Sequence, residues 1–297
     1  MPEGDSIVRA ARKLQVLSGQ QLVRSDLRIP SLATVDLRGA TVLETVPRGK
    51  HLLVRLDTGL TLHSHLKMEG SWSVHPVGAR WRKPWHTARV VLRTRGTEAV
   101  GFSLLLDLVR TEAEDRLVGH LGPDLLGPDW DAEAAVARLA ARPDRPLGEA
   151  LLDQRLLAGI GNVFKSEVCF AAGVDPADPV GVVPDLAAVV AVAKQQLEAN
   201  RDRPFRVTTE DPVALRSRPG ARGRRDGGPG GAATTQGRRY WVYGHRGPCA
   251  RCGTTVRRSD QGPRGQERST YWCPRCQPAR RVDPGPVATG SASPPPR

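Results

Sequence analysis

No stretch of this sequence approaches the roughly 18 consecutive apolar residues that a membrane span requires. Charge arrives at Glu3, so the chain also lacks the apolar N-terminal segment of a secretory signal, and a cytoplasmic location is expected. Acidic residues are in short supply: 31 Asp and Glu face 44 Lys and Arg, a net charge of +13 with a pI near 10.4. Such an excess favours a polyanionic partner, nucleic acid first, although a genome biased toward Arg, Ala, Gly and Pro codons gives the same balance. Cysteine is scarce too, at five. In a reducing compartment, four of them in two C-x-x-C pairs read as metal ligands before disulfides. There is no internal repeat, and 297 residues suffice for two domains and a small appendage.

Residues 6 to 18 carry Ile7, Ala10, Ala11, Leu14 and Leu17 at helical spacing, with Gly19 to end the helix. The following hundred residues alternate short apolar runs ("ATVLETV", "HLLVRLD", "LTLHSHL", "ARVVLRT", "EAVGFSLLLDL") with "PRGK", "DTG" and "TRGT" turns, the rhythm of a β-sandwich or barrel. Beyond them, "DAEAAVARLAAR", "LGEALLDQRLL", "VFKSEVCFAAG" and "PDLAAVVAVAKQQLEAN" read as helices, with Asn162 as N-cap of the third. Two helices joined by "AGIG" suit a DNA-gripping helix-turn-helix or a purely structural bundle. Residues 216 to 239 are Gly- and Arg-rich and read as a basic loop or linker, and a Pro-, Gly- and Ser-rich tail follows.

Cys249-x2-Cys252 and Cys273-x2-Cys276 place four thiolates for a closed tetrahedral Zn2+ site, a redox dithiol being the alternative. A ribbon this short cannot build a sufficient core, so one structural zinc would supply its folding free energy. Arg257, Arg258, Arg264, Arg268 and Arg275 surround the pairs and read either as phosphate ligands or as a solvated face. Cys169, on an apolar helical face, reads as a core residue. Pro2 after the initiator methionine is inert in most chains. Once Met1 is removed, however, its free secondary amine has a pKa near ~8 and is partly neutral and nucleophilic at pH 7. Glu3 stands beside it as a candidate proton carrier.

"MPEGDSIVRAARKL", "PRGKHLLV", "SHLKMEGSW", "LLDQRLLAGIGNVFKSEVCFAAGVDP" and "CARCG…RSTYWCPRCQ", in this order across about residues 2 to 277, resemble the formamidopyrimidine-DNA glycosylase/endonuclease VIII family. The resemblance implies an α+β multidomain protein: a catalytic helix and β-sandwich (1–125), a helix-two-turn-helix domain (131–240) holding the loop 216–239, a zinc finger (241–278) and a disordered tail (279–297). It implies a monomeric base-excision repair enzyme, both DNA glycosylase and apurinic/apyrimidinic lyase, acting on damaged DNA in the bacterial cytoplasm and nucleoid. Pro2 would form the Schiff base that leads to β,δ-elimination, and Glu3 would move protons. Lys50, grouped with Pro2 and Glu3 in the catalytic set, would bind a phosphate beside the lesion; Asn162 and Arg268 would bind phosphates as DNA contacts, Glu167 would be a supporting acid grouped with the DNA-binding residues, and Met68 would fill the gap left by the extruded nucleotide. Without the resemblance, Met68 reads as core filler.

"PEGD" and "SHLKMEGSW" lie closer to the endonuclease VIII branch, which favours oxidised pyrimidines over 8-oxoguanine. Ser6 stands where many members carry glutamate, Arg155 replaces a lysine of the formamidopyrimidine branch, and Lys67 and Glu69 flank Met68 where glutamine and tyrosine are common. A formamidopyrimidine/8-oxoguanine enzyme and a non-catalytic zinc-ribbon DNA-binding protein are the competing readings.

Overall fold

A computed structural model describes residues 2–209 and 238–280. Met1, most of the Gly/Arg-rich stretch expected at 216–239 and most of the expected tail lie outside the described residues.

The chain opens with α1 (Gly4–Leu14), which buries Ile7, Ala10, Ala11 and Leu14 on one stripe. It begins two residues earlier than the apolar spacing indicates, because the Glu3 carbonyl accepts from the N–H groups of Ser6 and Ile7 at 2.8 and 3.2 Å. It ends at Leu14 and continues as a tight 3-10 turn over Gln15–Leu17.

Eight strands follow: β1 (Arg24–Leu27), β2 (Val42–Arg48), β3 (His51–Leu56), β4 (Leu60–His65), β5 (Ser71–Pro76), β6 (Ala88–Arg93), β7 (Thr97–Phe102) and β8 (Leu105–Arg110). They form two antiparallel sheets, ordered β1-β6-β7-β5 and β2-β3-β4-β8. Leu52, Val54 and Leu62 of one sheet meet Val90, Leu92 and Trp72 of the other in a core that α1 closes. The expected β-sandwich is therefore present, with two differences in detail. "EAVGFSLLLDL" is not one strand: Ser103 takes a left-handed φ of 50°, and the chain passes there from the β5–β6–β7 sheet to pair β8 with β4. Strands β1 and β5 escape an apolar-run reading because "RSDL" and "SWSVHP" are largely polar; their pairing with β6 and β7 makes them strands.

Helices α2 (Asp115–Val118), α3 (Ala132–Ala140), α4 (Leu147–Leu152), α5 (Asn162–Ala172) and α6 (Leu186–Arg201) come next. Asp131 and Asp185 cap α3 and α6, accepting from the N–H groups of Ala134 and Ala188 at 2.9 and 2.8 Å. A second core forms around Leu139, Leu151, Phe164, Val168, Val190 and Leu197. A third gathers the cysteine pairs about Phe170 and Trp241, whose rings stack at 5.4 Å, beside a hairpin of β9 (Arg257–Gln261) and β10 (Arg268–Trp272). No helix of the described residues is long and apolar enough to cross a membrane.

Candidate active site and DNA-binding surface

Glu3 is fully buried, with 0% exposure, yet its carboxylate is well partnered. The N–H of Gly161 donates to Oε2 at 2.8 Å, that of Val163 to Oε1 at 2.8 Å, and that of Phe164 to Oε2 at 3.3 Å. These are the unpaired donors at the start of α5, where the helix dipole also favours an anion. Gly161 is required there: a Cβ would sit 2.4 Å from the Glu3 carboxyl carbon. Asn162 is thus not the N-cap expected from the sequence. It is the first residue of the helix, because a carboxylate from the chain's N-terminus occupies the capping position.

The turn that presents these donors is fixed by Gln154. Its amide nitrogen donates to the carbonyls of Leu152 and Ile160 at 2.8 and 3.0 Å, and its oxygen accepts from Gly159 N–H at 3.0 Å. The Gly159 carbonyl in turn accepts from Gly4 N–H at 2.9 Å, which locks α1, and Pro2 just before it, onto the α4–α5 turn.

Two residues that the motifs did not flag complete this corner. Arg206, 7% exposed, reaches Glu3 Oε1 at 3.3 Å and Asp5 Oδ1 at 2.5 Å, and its guanidinium lies 4.6 Å from the centre of the Phe164 ring. Asp5, fully buried, also takes Arg9 at 3.0 Å. Nothing in the motif spacing marks Arg206, which lies about two hundred residues from its partners. Asp5 was visible in "PEGD", but only as a mark of the branch.

Lys50 sits in the two-residue turn between β2 and β3, half-buried, with Gly49 before it at φ +57°. That turn is tied down where the Gly49 N–H donates to Asp124 Oδ2 at 2.7 Å. Burial lowers the Lys50 amine to about 8, against the pull of Glu3, while Arg206 and Arg268 press it further down. Lys50, Arg145, Glu149, Gln261 and Arg268 line a cleft of about 270 Å3 between the β2–β3 turn, α4 and the β9–β10 hairpin. A larger groove of about 540 Å3 between α3 and α6 is lined by Trp130, Val136 and Val190 and holds none of these charged groups.

The two α5 residues grouped with the DNA contacts are both engaged within the protein. Asn162 Nδ2 donates to the Ser269 carbonyl at 2.8 Å, while its Oδ1 is buried with no partner among the described residues. Glu167, grouped above with the DNA contacts, is 0% exposed. It accepts from the N–H groups of Trp241, Val242 and Tyr243 at 2.8, 2.9 and 2.8 Å and from the Thr208 hydroxyl. Its carboxylate is consumed in shaping the chain at 241–243, so it supports the fold there and does not reach a ligand. Burial pushes its pKa up, and those four hydrogen bonds oppose the shift. Between them on α5, Lys165 is buried and donates to Thr270 Oγ1 at 2.6 Å, a further tie from α5 to β10 that the sequence did not announce.

Met68 is 61% exposed, on a tight turn after β4 in which Gly70 N–H donates to the Leu66 carbonyl at 2.8 Å and Lys67 has φ 49°. Core filler is therefore excluded. Arg257, Arg258, Arg264, Arg268 and Arg275 are all exposed, although Arg258 is held by Asp260 at 2.9 Å. Cys249, Cys252, Cys273 and Cys276 are free thiols whose sulfurs all lie within 4.8 Å of one another. Tetrahedral Zn–S bonds of about 2.3 Å give S···S edges near ~3.8 Å, so the donor set fits a metal ion with little adjustment. Cys169 is buried in the second core, as expected.

Comparison with known proteins agrees with this architecture. Residues 1–104 match the formamidopyrimidine-DNA glycosylase N-terminal domain, and residues 121–198 match the formamidopyrimidine-DNA glycosylase H2TH domain. The chain is 54% identical over 291 residues to the probable endonuclease 8 2 of Streptomyces coelicolor, covering 96% of this chain and 97% of that one.

This chain belongs to the formamidopyrimidine-DNA glycosylase/endonuclease VIII family.

Within that family it is also 45% identical to the DNA-(apurinic or apyrimidinic site) lyase Nei2 of Mycolicibacterium smegmatis, covering 94% of this chain and all of that one. Its fold matches the formamidopyrimidine-DNA glycosylase of Lactococcus lactis, solved with DNA, at a TM-score of 0.71 and 20% identity, over 93% of this chain and 100% of that one. The β-sandwich, the helix-two-turn-helix and the cysteine cluster are the family's parts in the family's order.

Proposed function

We propose that this enzyme, a DNA glycosylase and apurinic/apyrimidinic lyase by family, excises oxidised pyrimidines through a Schiff base on Pro2. The observation that carries this reading is the seat of Glu3: a buried carboxylate fixed by the N-terminus of α5, one residue from Pro2, whose charge acts on the Lys50 amine.

After Met1 is removed, the neutral Pro2 nitrogen attacks C1′ of the damaged nucleotide. The N-glycosidic bond breaks, and the base leaves with its electron pair and a proton. The sugar ring then opens, the C1′–O4′ bond breaking as O4′ takes a proton, and the resulting iminium cannot lose its charge at nitrogen; it acidifies C2′–H, a base takes that proton, and the 3′-phosphate leaves by β-elimination. A second elimination releases the 5′-phosphate. Glu3 is positioned to carry protons between the sugar oxygen and the base. Lys50 and Arg268, which both line the cleft, take phosphates flanking the lesion, and Asn162, whose Nδ2 already donates to the Ser269 carbonyl, would contribute its second amide hydrogen. Met68, exposed and apolar, replaces the extruded nucleotide in the stack. Cys249, Cys252, Cys273 and Cys276 would hold one structural Zn2+, which would fix the hairpin that carries Arg268. The enzyme works as a monomer on DNA in the cytoplasm, with domain boundaries near residues 125, 131, 240 and 278.

The endonuclease-8 relatives support the pyrimidine preference over the formamidopyrimidine alternative. The test is a panel of duplexes carrying one 5-hydroxycytosine, dihydrouracil or 8-oxoguanine, scored for rate and for end groups. Fast cleavage at the pyrimidines with phosphate on both ends of the gap is the expected result. Preferential cleavage at 8-oxoguanine would move the enzyme to the other branch.

A further inference from the structure

One strongly basic, aromatic element takes no part in the chemistry above. The loop from Val77 to Thr87, joining β5 to β6, contains Arg80, Arg82, Lys83, Trp81 and Trp85 and not one acid. Its two tryptophans are treated very differently. Trp81 is an anchor: its Nε1 donates to Glu98 Oε1 at 2.7 Å, its ring meets Phe102 edge-on at 5.8 Å, and the Arg28 guanidinium covers it at 5.4 Å. Trp85 is 73% exposed.

That exposure does not come from a loose backbone. Trp85 opens a 3-10 turn closed by Thr87, whose N–H and hydroxyl both donate to the Pro84 carbonyl at 3.1 and 2.7 Å. Arg28 reaches the Trp85 carbonyl at 3.4 Å and Arg89 reaches that of His86 at 3.2 Å. A large indole held out in water by a fixed turn is an unused apolar face, and such faces mark contact sites.

Its position indicates the contact. Lys83 Nζ donates to the Glu69 carbonyl at 3.4 Å, beside Met68, and the Thr87 carbonyl accepts from Ser103 N–H at 2.8 Å, at the turn into β8. The loop therefore lies against the turn that carries the exposed methionine. Cations interleaved with an exposed indole suit an unpaired nucleotide: the ring face stacks a base, and the cations take the phosphates on either side. A base inside a duplex offers only its edges, so the indole face can be used only where strands have separated.

We propose that the β5–β6 loop is a second DNA contact, in which Trp85 stacks an unpaired base of the substrate while Arg80, Arg82 and Lys83 hold its phosphates. This rests on the DNA-binding reading of the Met68 face, and the test separates the two.

Dissociation constants are measured for a tetrahydrofuran site, which cannot react with Pro2, placed in paired duplex, in a bubble and in single-stranded DNA. Loss of one stacking contact predicts that Trp85→Ala weakens bubble and single-strand binding by roughly 5- to 150-fold. The ratio of single-strand to duplex affinity falls accordingly, and Trp85→Phe recovers most of it. An unchanged ratio in Trp85→Ala, whether all three affinities hold or all fall together, overturns the proposal. If the unaltered protein binds none of the three DNAs, the DNA-binding reading fails with it; if it binds and the ratio holds, only the role of Trp85 fails.

Discussion

The Val163 N–H donates to the Glu3 carboxylate at 2.8 Å, across 160 residues of chain. This bond joins the N-terminal helix to the helix-two-turn-helix, so the proton carrier proposed for catalysis is also the cap of α5. Glu3→Gln places an amide nitrogen against backbone donors and leaves one of them unpaired. It is expected to cost about 1–3 kcal/mol of stability and about 10²–10⁴ in excision rate. Gly161→Ala pushes the carboxylate aside sterically and is expected to reproduce the loss of rate with Glu3 intact. Thermal unfolding and single-turnover excision check both; a Gly161→Ala enzyme of full activity would separate the cap from the chemistry.

Lys50 sets a pH dependence that an ordinary lysine would not. Its amine titrates at about 8. Below that pH it is charged and holds phosphate; as pH rises through 8 the charge is lost, although a free lysine keeps it to above 10. Between pH 7 and 9, affinity for tetrahydrofuran DNA should fall and the salt slope should flatten by about 0.9, the loss of one phosphate contact. Lys50→Arg should lose less affinity over this range, keeping only the change that the Pro2 amine, with its pKa near ~8, contributes to both proteins. Equal pH dependence in the two proteins would contradict the assignment.

For Glu167 the structure predicts a fold defect. Glu167→Ala leaves the N–H groups of Trp241 and Val242 buried, and that of Tyr243 half-buried, without their acceptor, a loss on the order of 3 kcal/mol. DNA affinity should fall only with the folded fraction. A variant of unchanged melting temperature and weakened binding would restore Glu167 to the DNA contacts.

Metal analysis should find one zinc per chain. Chelation should unfold the β9–β10 hairpin, seen as lost near-ultraviolet circular dichroism from Trp241 and its neighbours, and weaken DNA binding through the loss of Arg268. Binding that survives chelation with the hairpin unfolded would remove Arg268 from the contact.

Most of the parts of this site could be read along the chain, but not how they join. The C-x-x-C pairs, the "PRGKHL" turn and the apolar stripe of α1 are local patterns, and local physics produces them wherever they occur. Met68 needed the fold, since its exposure excludes the core-filler reading. Short-range capping rules point to Asn162 as the N-cap of α5 because they cannot foresee a carboxylate arriving from residue 3. Arg206 and Lys165 were missed for the same reason: their partners, Glu3, Asp5 and Thr270, lie about a hundred residues away or more, and nothing in their neighbourhoods marks them. Strands β1 and β5 are polar and exist because of their neighbours in the sheet.

The central claim, that the Pro2 nitrogen is the nucleophile, is tested most directly by borohydride trapping. Protein lacking Met1 is mixed with DNA carrying an abasic site and reduced, and the adduct is digested and mapped by mass spectrometry. The account predicts a covalent DNA adduct on the N-terminal peptide, at the Pro2 nitrogen, and none from protein that retains Met1, whose Pro2 nitrogen is an amide. An adduct on a lysine, or one of equal yield from the Met1-bearing protein, would contradict it.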